Sequence, residues 1–305
     1  MREEWKRAWG GCLCAVACEA LFGLSYLFTK DAAMRAGPWA LLGWRFAVAA
    51  AAMGLCSAIG IVRVRFRGRR LGPLWMVAAC SPCAYFVGET LGIARTTASE
   101  SAIILACIPV AALVASSVAL RKRPTRWQAA GIGISMAGVF VATLAAGATA
   151  TFSPAGYAFL GLAVAAFAGY AVCVERAGGF TGAEITFAML MAGAALFVPV
   201  AVVDAALRGA TGELLRLPVA DRRFLAALLY QGIGCSVFAF FLSNRAIALI
   251  GVNRSASFIG VATLVGIVAG IAVLGEPFGW GQGVGAGLVV AGVLVANAVK
   301  AGGAA

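Results

Sequence analysis

Ten stretches of the chain stay apolar for about twenty residues at a time: 8–29, 38–61, 73–94, 98–120, 126–146, 153–174, 184–203, 224–243, 254–274 and 280–299. A helix that crosses the hydrocarbon core of a bilayer needs about 20 such residues. The runs are long and continuous rather than alternating, which favours helices over the ten-residue strands of a membrane barrel. Pro38, Pro73, Pro124 and Pro154 stand at or just before the start of a run, where a missing backbone N–H costs least. The pattern therefore predicts an all-α integral membrane protein with ten transmembrane helices.

The polar intervals orient it. With the N-terminus inside, sixteen of the 24 Lys and Arg residues fall on the inner side and eight on the outer. Inner loops of membrane proteins carry this excess, so both termini are expected in the cytoplasm. The bias is clear in the first half and weak in the second, where 204–223 puts four arginines outside.

A repeat runs beneath the pattern. Shifted by 154 positions, Leu91–Val141 meets Arg245–Val295 without a gap, with 14 of 51 positions identical. The order of the matches is the informative part: Gln128/Gln282, Gly131/Gly285, Gly133/Gly287, then Ala137-Gly138-Val139/Ala291-Gly292-Val293. A repeat at half the chain length marks a duplicated unit rather than a solenoid. Ten spans divide into five and five. Because five is odd, the second copy enters the membrane from the other side. The expected architecture is two five-helix inverted-topology repeats, 1–147 and 148–305. Such pairs recur in secondary transporters, with a solute site near the midplane between the halves.

Composition sharpens the class. Hydrophobic residues make up 62% of the 305 and charged residues 12%, against about 25% charged in soluble domains. The net charge of +12 sits in short arginine clusters between apolar runs, so it reads as an orientation signal and not as a nucleic-acid footprint. The Arg63–Arg70 cluster is expected to face lipid headgroups. The chain contains no histidine, which removes His-based triads, metal ligands and proton relays. The nine cysteines, including Cys12, Cys14, Cys18 and the C-x-x-C spacing of Cys80 and Cys83, all lie in apolar runs. There a thiol behaves as a small hydrophobe. No cofactor or metal is expected. The basic, then apolar N-terminus resembles a signal peptide, but its run is long and holds Glu19, so it is read as an uncleaved first span.

Ionisable groups inside a span cost at least about 2.5–3.5 kcal/mol and mark function by default. Three stand out: Glu19 in span 1, Arg45 in span 2 and Glu89 in span 3. At 1.5 Å per residue, Arg45 lies about 10 Å and Glu89 about 8 Å below the same outer surface. This predicts an ion pair or a shared grip on a zwitterionic solute, with a purely structural pair as the alternative. Glu19 has no basic residue at its depth, and low dielectric disfavours its charged form. It is the expected proton carrier, the alternative being a neutral acid donating a hydrogen bond. Phe22 and Tyr26 share its face, and Tyr85 shares that of Glu89. Span 8 adds Tyr230, Gln231, Ser236 and Asn244, and span 9 adds Ser255, Ser257 and Thr263. The substrate-binding set is thus Glu19, Phe22, Tyr26, Arg45, Tyr85, Glu89, Gln231 and Asn244, with interhelical packing the competing role for each. Glu100, Arg95, Asn253 and Arg254 sit at span ends as caps or gates.

Together these segments resemble the EamA-type, ten-span members of the drug/metabolite transporter superfamily. The resemblance rests on Phe22-Gly23-Leu24-Ser25 with Lys30, Arg45-Phe46, Gly92-Ile93-Ala94 leading into Ala98-Ser99-Glu100-Ser101-Ala102, and Ile108-Pro109. In the second half it rests on Leu242-Ser243-Asn244-Arg245-Ala246-Ile247-Ala248, Leu274-Gly275-Glu276, and Gln282 leading into Gly285 and Gly292. Two departures are Arg121-Lys122-Arg123, where such proteins often show a glycine–glutamate pair, and Thr263 in place of proline. The second suggests that span 4 kinks more than span 9. The resemblance implies a multi-pass carrier of a bacterial inner membrane, commonly exporting metabolites or amino acids, with spans 1–4 and 6–9 around the solute. It also implies peripheral spans 5 and 10. Their glycines would serve either a homodimer or packing within one chain.

The expected function is secondary transport of small metabolites or amino-acid-like solutes by alternating access, outward and coupled to protons through Glu19. The expected partners are the solute and the lipid bilayer. The competing classes are an integral membrane enzyme, which lacks a long polar loop here, and a non-transporting receptor or scaffold, which would not need Glu19.

Overall fold

The computed structural model describes residues 2–96, 101, 104–145, 153–274 and 279–297, and only the backbone at some positions within two helices. Glu100 and Gly275-Glu276 lie outside the described residues, as do the side chains of Tyr26 and Lys30.

The described chain is helical throughout. Its elements are α1 (Arg2–Ala36), α2 (Pro38–Ala58), α3 (Gly72–Ile93), α4 (Ile108–Ala119), α5 (Arg126–Ala145) and α6 (Pro154–Arg176). They continue as α7 (Gly182–Leu207), α8 (Thr211–Ala220), α9 (Arg222–Ile250), α10 (Val252–Ala256), α11 (Gly260–Leu274) and α12 (Trp280–Asn297). Among the described residues, eight helices are long and apolar enough to cross a membrane: α1 over Arg7–Ser25, then α2, α3, α5, α6, α7, α9 and α12. Apolar side chains such as Leu55, Leu144, Val203 and Leu294 point outward on these helices, as a lipid-facing surface requires.

Local chemistry sets the ends. Gly37 turns the chain from α1 into α2 at φ 78°, a left-handed conformation that suits glycine, and Pro38 opens α2. The Ser153 hydroxyl accepts from the amide of Gly156 at the start of α6. Thr181 and Glu184 form a reciprocal capping box on α7. Asp221 caps α9 by accepting from the amides of Arg223 and Phe224.

The expected fourth and ninth spans are not continuous helices. The fourth turns at Ala106-Cys107 before Ile108-Pro109 starts α4, and the ninth is divided at Ser257–Ile259 between α10 and α11. The expected stronger kink of the fourth span at its proline therefore meets a ninth span that is interrupted as well. Polar side chains hold the break without proline. Ser257 donates to the Arg254 carbonyl at 2.8 Å and accepts from Asn297 of α12 at 2.8 Å, while Arg254 donates to Asn297 at 3.0 Å.

Two full-length helices depart from regular α geometry midway. α3 is kinked over Ala79–Ala84, where Ser81 is extended (φ −143°, ψ 126°) and Pro82 lacks a donor. α9 carries wide π turns over Tyr230–Ala239, which contains Gly232 and Gly234 but no proline. The repeat shift carries the first segment to 233–238, inside the second. Single-turn π bulges cluster at functional sites.

The halves interlock. α1 packs on α9 and α11 of the second half, α6 packs on α3 and α4 of the first, and α2 packs on α7. The most extensive contact joins α5 to α12. There Gly131 abuts Gly292 and Ala296, and Gly138 abuts Gly285 and Val289. Rising numbers on one helix meet falling numbers on the other, so α5 and α12 run antiparallel. These four glycines therefore serve a crossing within the chain, the second of the two roles expected for them. Only Gly133 and Gly287, with open space where a Cβ would go, are turned away from it.

The interval 204–223 is not a bare loop. It holds α8, whose Leu214 is buried and accepts from the Trp44 indole at 2.9 Å. Two arginines near it on the expected outer side have acidic partners: Arg208 pairs with Asp204, and Arg35 of α1 with Asp221 at 3.0 Å. The Phe224 amide, with Arg35 beside it, holds the Asp221 carboxyl below the usual carboxylate range.

Candidate functional site

The core between the halves is aromatic. Phe46 of α2 stacks on Phe197 of α7 at 5.1 Å and meets Phe86 of α3 edge-on at 5.4 Å. Phe86 in turn meets Phe240 of α9, and Phe240 meets Phe22 of α1 at 5.9 Å. Polar side chains lie at both ends of this aromatic row.

At one end sits Arg45, which is 7% exposed. Its Nε donates to Ser236 Oγ at 2.8 Å and one terminal nitrogen donates to Gln231 Oε1 at 3.4 Å. Both partners belong to the π segment of α9. The guanidinium also lies 4.6 Å from the Phe86 ring centre, a cation–π contact. The expected ion pair with Glu89 does not form: no Arg45–Glu89 contact falls within the 4.0 Å of a salt bridge. Glu89 instead accepts from the Tyr85 hydroxyl at 2.7 Å, one turn away on its own helix. Depth alone put the two charges at one level, but depth does not say which faces of α2 and α3 meet.

At the other end lies Glu19. It lines a small, partly open cavity of about 20 Å³, bounded by α1, α4, α6, α9, α10 and the break before α11, room for about one water. Ser243 and Ser255 share that wall. No hydrogen-bond or ion-pair partner contacts the Glu19 carboxyl among the described residues, which agrees with its expected isolation. The break between α10 and α11 matters here, because irregular backbone within a membrane is tolerated only where it is buried in protein or lines a cavity.

Asn244 is bonded as the packing alternative requires. Its side chain is fully buried, Oδ1 accepts from the Tyr170 hydroxyl at 2.7 Å, and Nδ2 donates to Thr186 Oγ1 at 2.9 Å. It ties α9 to α6 and α7, so its hydrogen-bonding capacity is committed to packing. Asn244→Ala is expected to lower stability in detergent by about 1–3 kcal/mol, because it strands buried hydroxyls. Thermal unfolding would check this. An unchanged unfolding temperature would return Asn244 to the solute site.

Reasoning from the sequence missed Tyr170, Thr186 and Ser243, none of them charged. It also missed Glu175, for which a signal existed. An acid in the last turn of α6 opposes the helix dipole. Its Oε2 accepts from the Val252 amide at 2.8 Å, at the start of α10, and Oε1 pairs with Lys122. Asn253 accepts from Ser116, and Arg176 donates to the Ala119 carbonyl. These contacts hold the two halves together at that end of the bundle. Among the described residues, no cluster of three His, Cys, Asp or Glu could hold a metal ion.

Comparison with known proteins adds three findings. The chain matches the EamA-like transporter family over residues 9–144 and 154–298. It is 29% identical over 287 residues to the Bacillus subtilis (strain 168) protein described as uncharacterized transporter YcxC, covering 93% of this chain and 92% of that one. A solved structure described only as a crystal structure of a protein superposes with a TM-score of 0.74 at 17% identity, over 95% of this chain and 99% of its own. That likeness shows a shared fold.

Proposed function

The chain belongs to the EamA-like transporter family, and from that premise we propose that this multi-pass membrane transporter moves small metabolites or amino-acid-like solutes outward across the cytoplasmic membrane by alternating access. Two inverted repeats, 1–147 and 148–305, would exchange between packings that open the core to one face or the other. Support comes from the antiparallel crossing of α5 and α12, helices that correspond under the repeat. It also comes from the interrupted fourth and ninth spans and from the reciprocal packing of α1 and α6 on the opposite halves. Both termini would lie in the cytoplasm, which makes the Glu175–Lys122 contact the inner closure and Arg35–Asp221 an outer one.

One observation carries the coupling. Glu19 is a carboxyl group inside a span, without a hydrogen-bond or ion-pair partner among the described residues, on the wall of a small, partly open cavity at a helix break. It is placed to take up a proton when the cavity faces one side and release it on the other. Purified protein in proteoliposomes, loaded with a solute first identified by its stabilisation of the folded protein, is expected to exchange labelled solute, with net flux following an imposed pH gradient. Absence of exchange for every stabilising solute would sink the transport reading.

A further inference from the structure

We propose that Arg45 and Gln231 form a binding site for a carboxylate group of the solute. This rests on the transport reading above and assigns one end of what is carried. Arg45 is a buried cation whose hydrogen-bond acceptors, Ser236 Oγ and Gln231 Oε1, are both neutral. Its second terminal nitrogen makes no hydrogen bond among the described residues. Glu89 acts on it through space but makes no salt-bridge contact, and a buried charge that no carboxylate meets directly is expensive to hold. The nearest acid in sequence-depth terms, Glu89, is bonded to Tyr85 instead.

Gln231 supplies the second observation. It is 0% exposed, and its Nε2 has no hydrogen-bond partner. The orientation of its amide is decided by Arg45, since the reverse would set an NH₂ donor against the guanidinium. The donors left over are one arm of a planar guanidinium and one amide NH₂, on two side chains joined by a hydrogen bond. Both are donors, so they select an acceptor and reject an ammonium. A planar two-oxygen anion matches an arginine fork, and the Phe86 face at 4.6 Å gives the adjoining carbon skeleton an apolar wall.

The fold explains why the group is available. Gln231 and Ser236 both belong to the π segment of α9. Gly232, in the same segment, lets α9 approach Val48 and the Arg45 carbonyl of α2 closely. Within α9, a wide turn presents both side chains to α2, and a change of register there would move the donors without unfolding the helix.

The test uses full-length protein in nanodiscs and three acid–amide pairs: acetate with acetamide, phenylacetate with phenylacetamide, and L-phenylalanine with L-phenylalaninamide. At least one acid is expected to raise the unfolding temperature where its amide does not. Arg45→Gln should abolish that difference. Gln231→Glu should raise the unfolding temperature without ligand, because it gives Arg45 an internal carboxylate. It should also weaken acid binding at least about tenfold, the scale of a lost hydrogen bond to a charged group. Equal responses to acid and amide in all three pairs, or an undiminished acid response in Gln231→Glu, would overturn the site. If ammonium solutes stabilise and exchange while acids do neither, transport stands and the carboxylate site falls. If acids stabilise through Arg45 but nothing exchanges, the site stands and transport falls.

Discussion

Proteoliposomes carrying Glu19→Gln are expected to lose at least about tenfold of their pH-gradient-driven solute flux, equivalent to about 1.4 kcal/mol in the coupled step, while the protein folds normally. Glutamine matches the shape and hydrogen-bonding capacity of a neutral carboxylic acid but cannot release a proton. In this small, partly open cavity the carboxyl has no ion-pair or hydrogen-bond partner among the described residues, so its ionised form is costly there. Ionisation becomes affordable only when the cavity opens to water, and this difference ties protonation to conformation. In Glu19→Gln the two conformations still interconvert, so exchange of labelled solute without a gradient should persist. Flux in the parent protein that ignores an imposed pH gradient, or a variant as well driven as the parent, would dispose of Glu19 as the coupling group. The unfolding temperature of Glu19→Gln should stay level or rise, since a group that is costly to ionise is removed.

Gly138→Leu is expected to produce the largest loss of stability. A Cβ at Gly138 would lie 2.6 Å from the Gly285 carbonyl oxygen and 2.7 Å from the Val289 amide nitrogen. Both are backbone atoms of a regular helix and cannot swing away as a side chain would. The α5–α12 crossing must then separate along its length. We expect a loss of about 3 kcal/mol and an unfolding temperature about 5–10 °C lower. Gly133→Leu, five residues earlier on the same helix, supplies the control. Nothing lies within 4 Å of its Cβ position, so its effect should be about 0.5 kcal/mol or less. If Gly133→Leu destabilised the protein as much as Gly138→Leu, the outward face of α5 would be a packed interface and the crossing described here would not account for the glycines. A change of oligomeric state in Gly133→Leu alone would instead place a second copy of the chain on that outward face.

Much of the architecture was legible one residue at a time. Apolar runs of about twenty residues located the full-length helices, and prolines marked several starts: α2 opens at Pro38 and α6 at Pro154, as expected. Glu19, Arg45 and Glu89 drew attention because charge inside a span is costly whatever the fold. Other features stayed hidden because they depend on partners far away in sequence. The break before α11 is held by Asn297, forty residues on. The π segment of α9 shows no proline to announce it. α8 fell in an interval too polar to span a membrane, and it folds back because Leu214 packs with Ala40, Ala201 and Ala205 while its carbonyl accepts from Trp44. Asn244, Tyr170 and Thr186 are neutral residues in three different helices, and no local pattern links them.

The sequence by itself determined the membrane class, the helices and the isolation of a carboxyl group in the first span. Each follows from the transfer cost of single residues between water and hydrocarbon. It also held the repeat and its glycines, since those are identities along one chain. Only the tertiary structure decided that the glycines close α5 onto α12 rather than onto a second molecule, because close approach is a property of two surfaces. It likewise paired Arg45 with Ser236 and Gln231 rather than Glu89. Depth along a helix can be counted from the sequence, but the rotation of one helix against another is set by how their side chains pack.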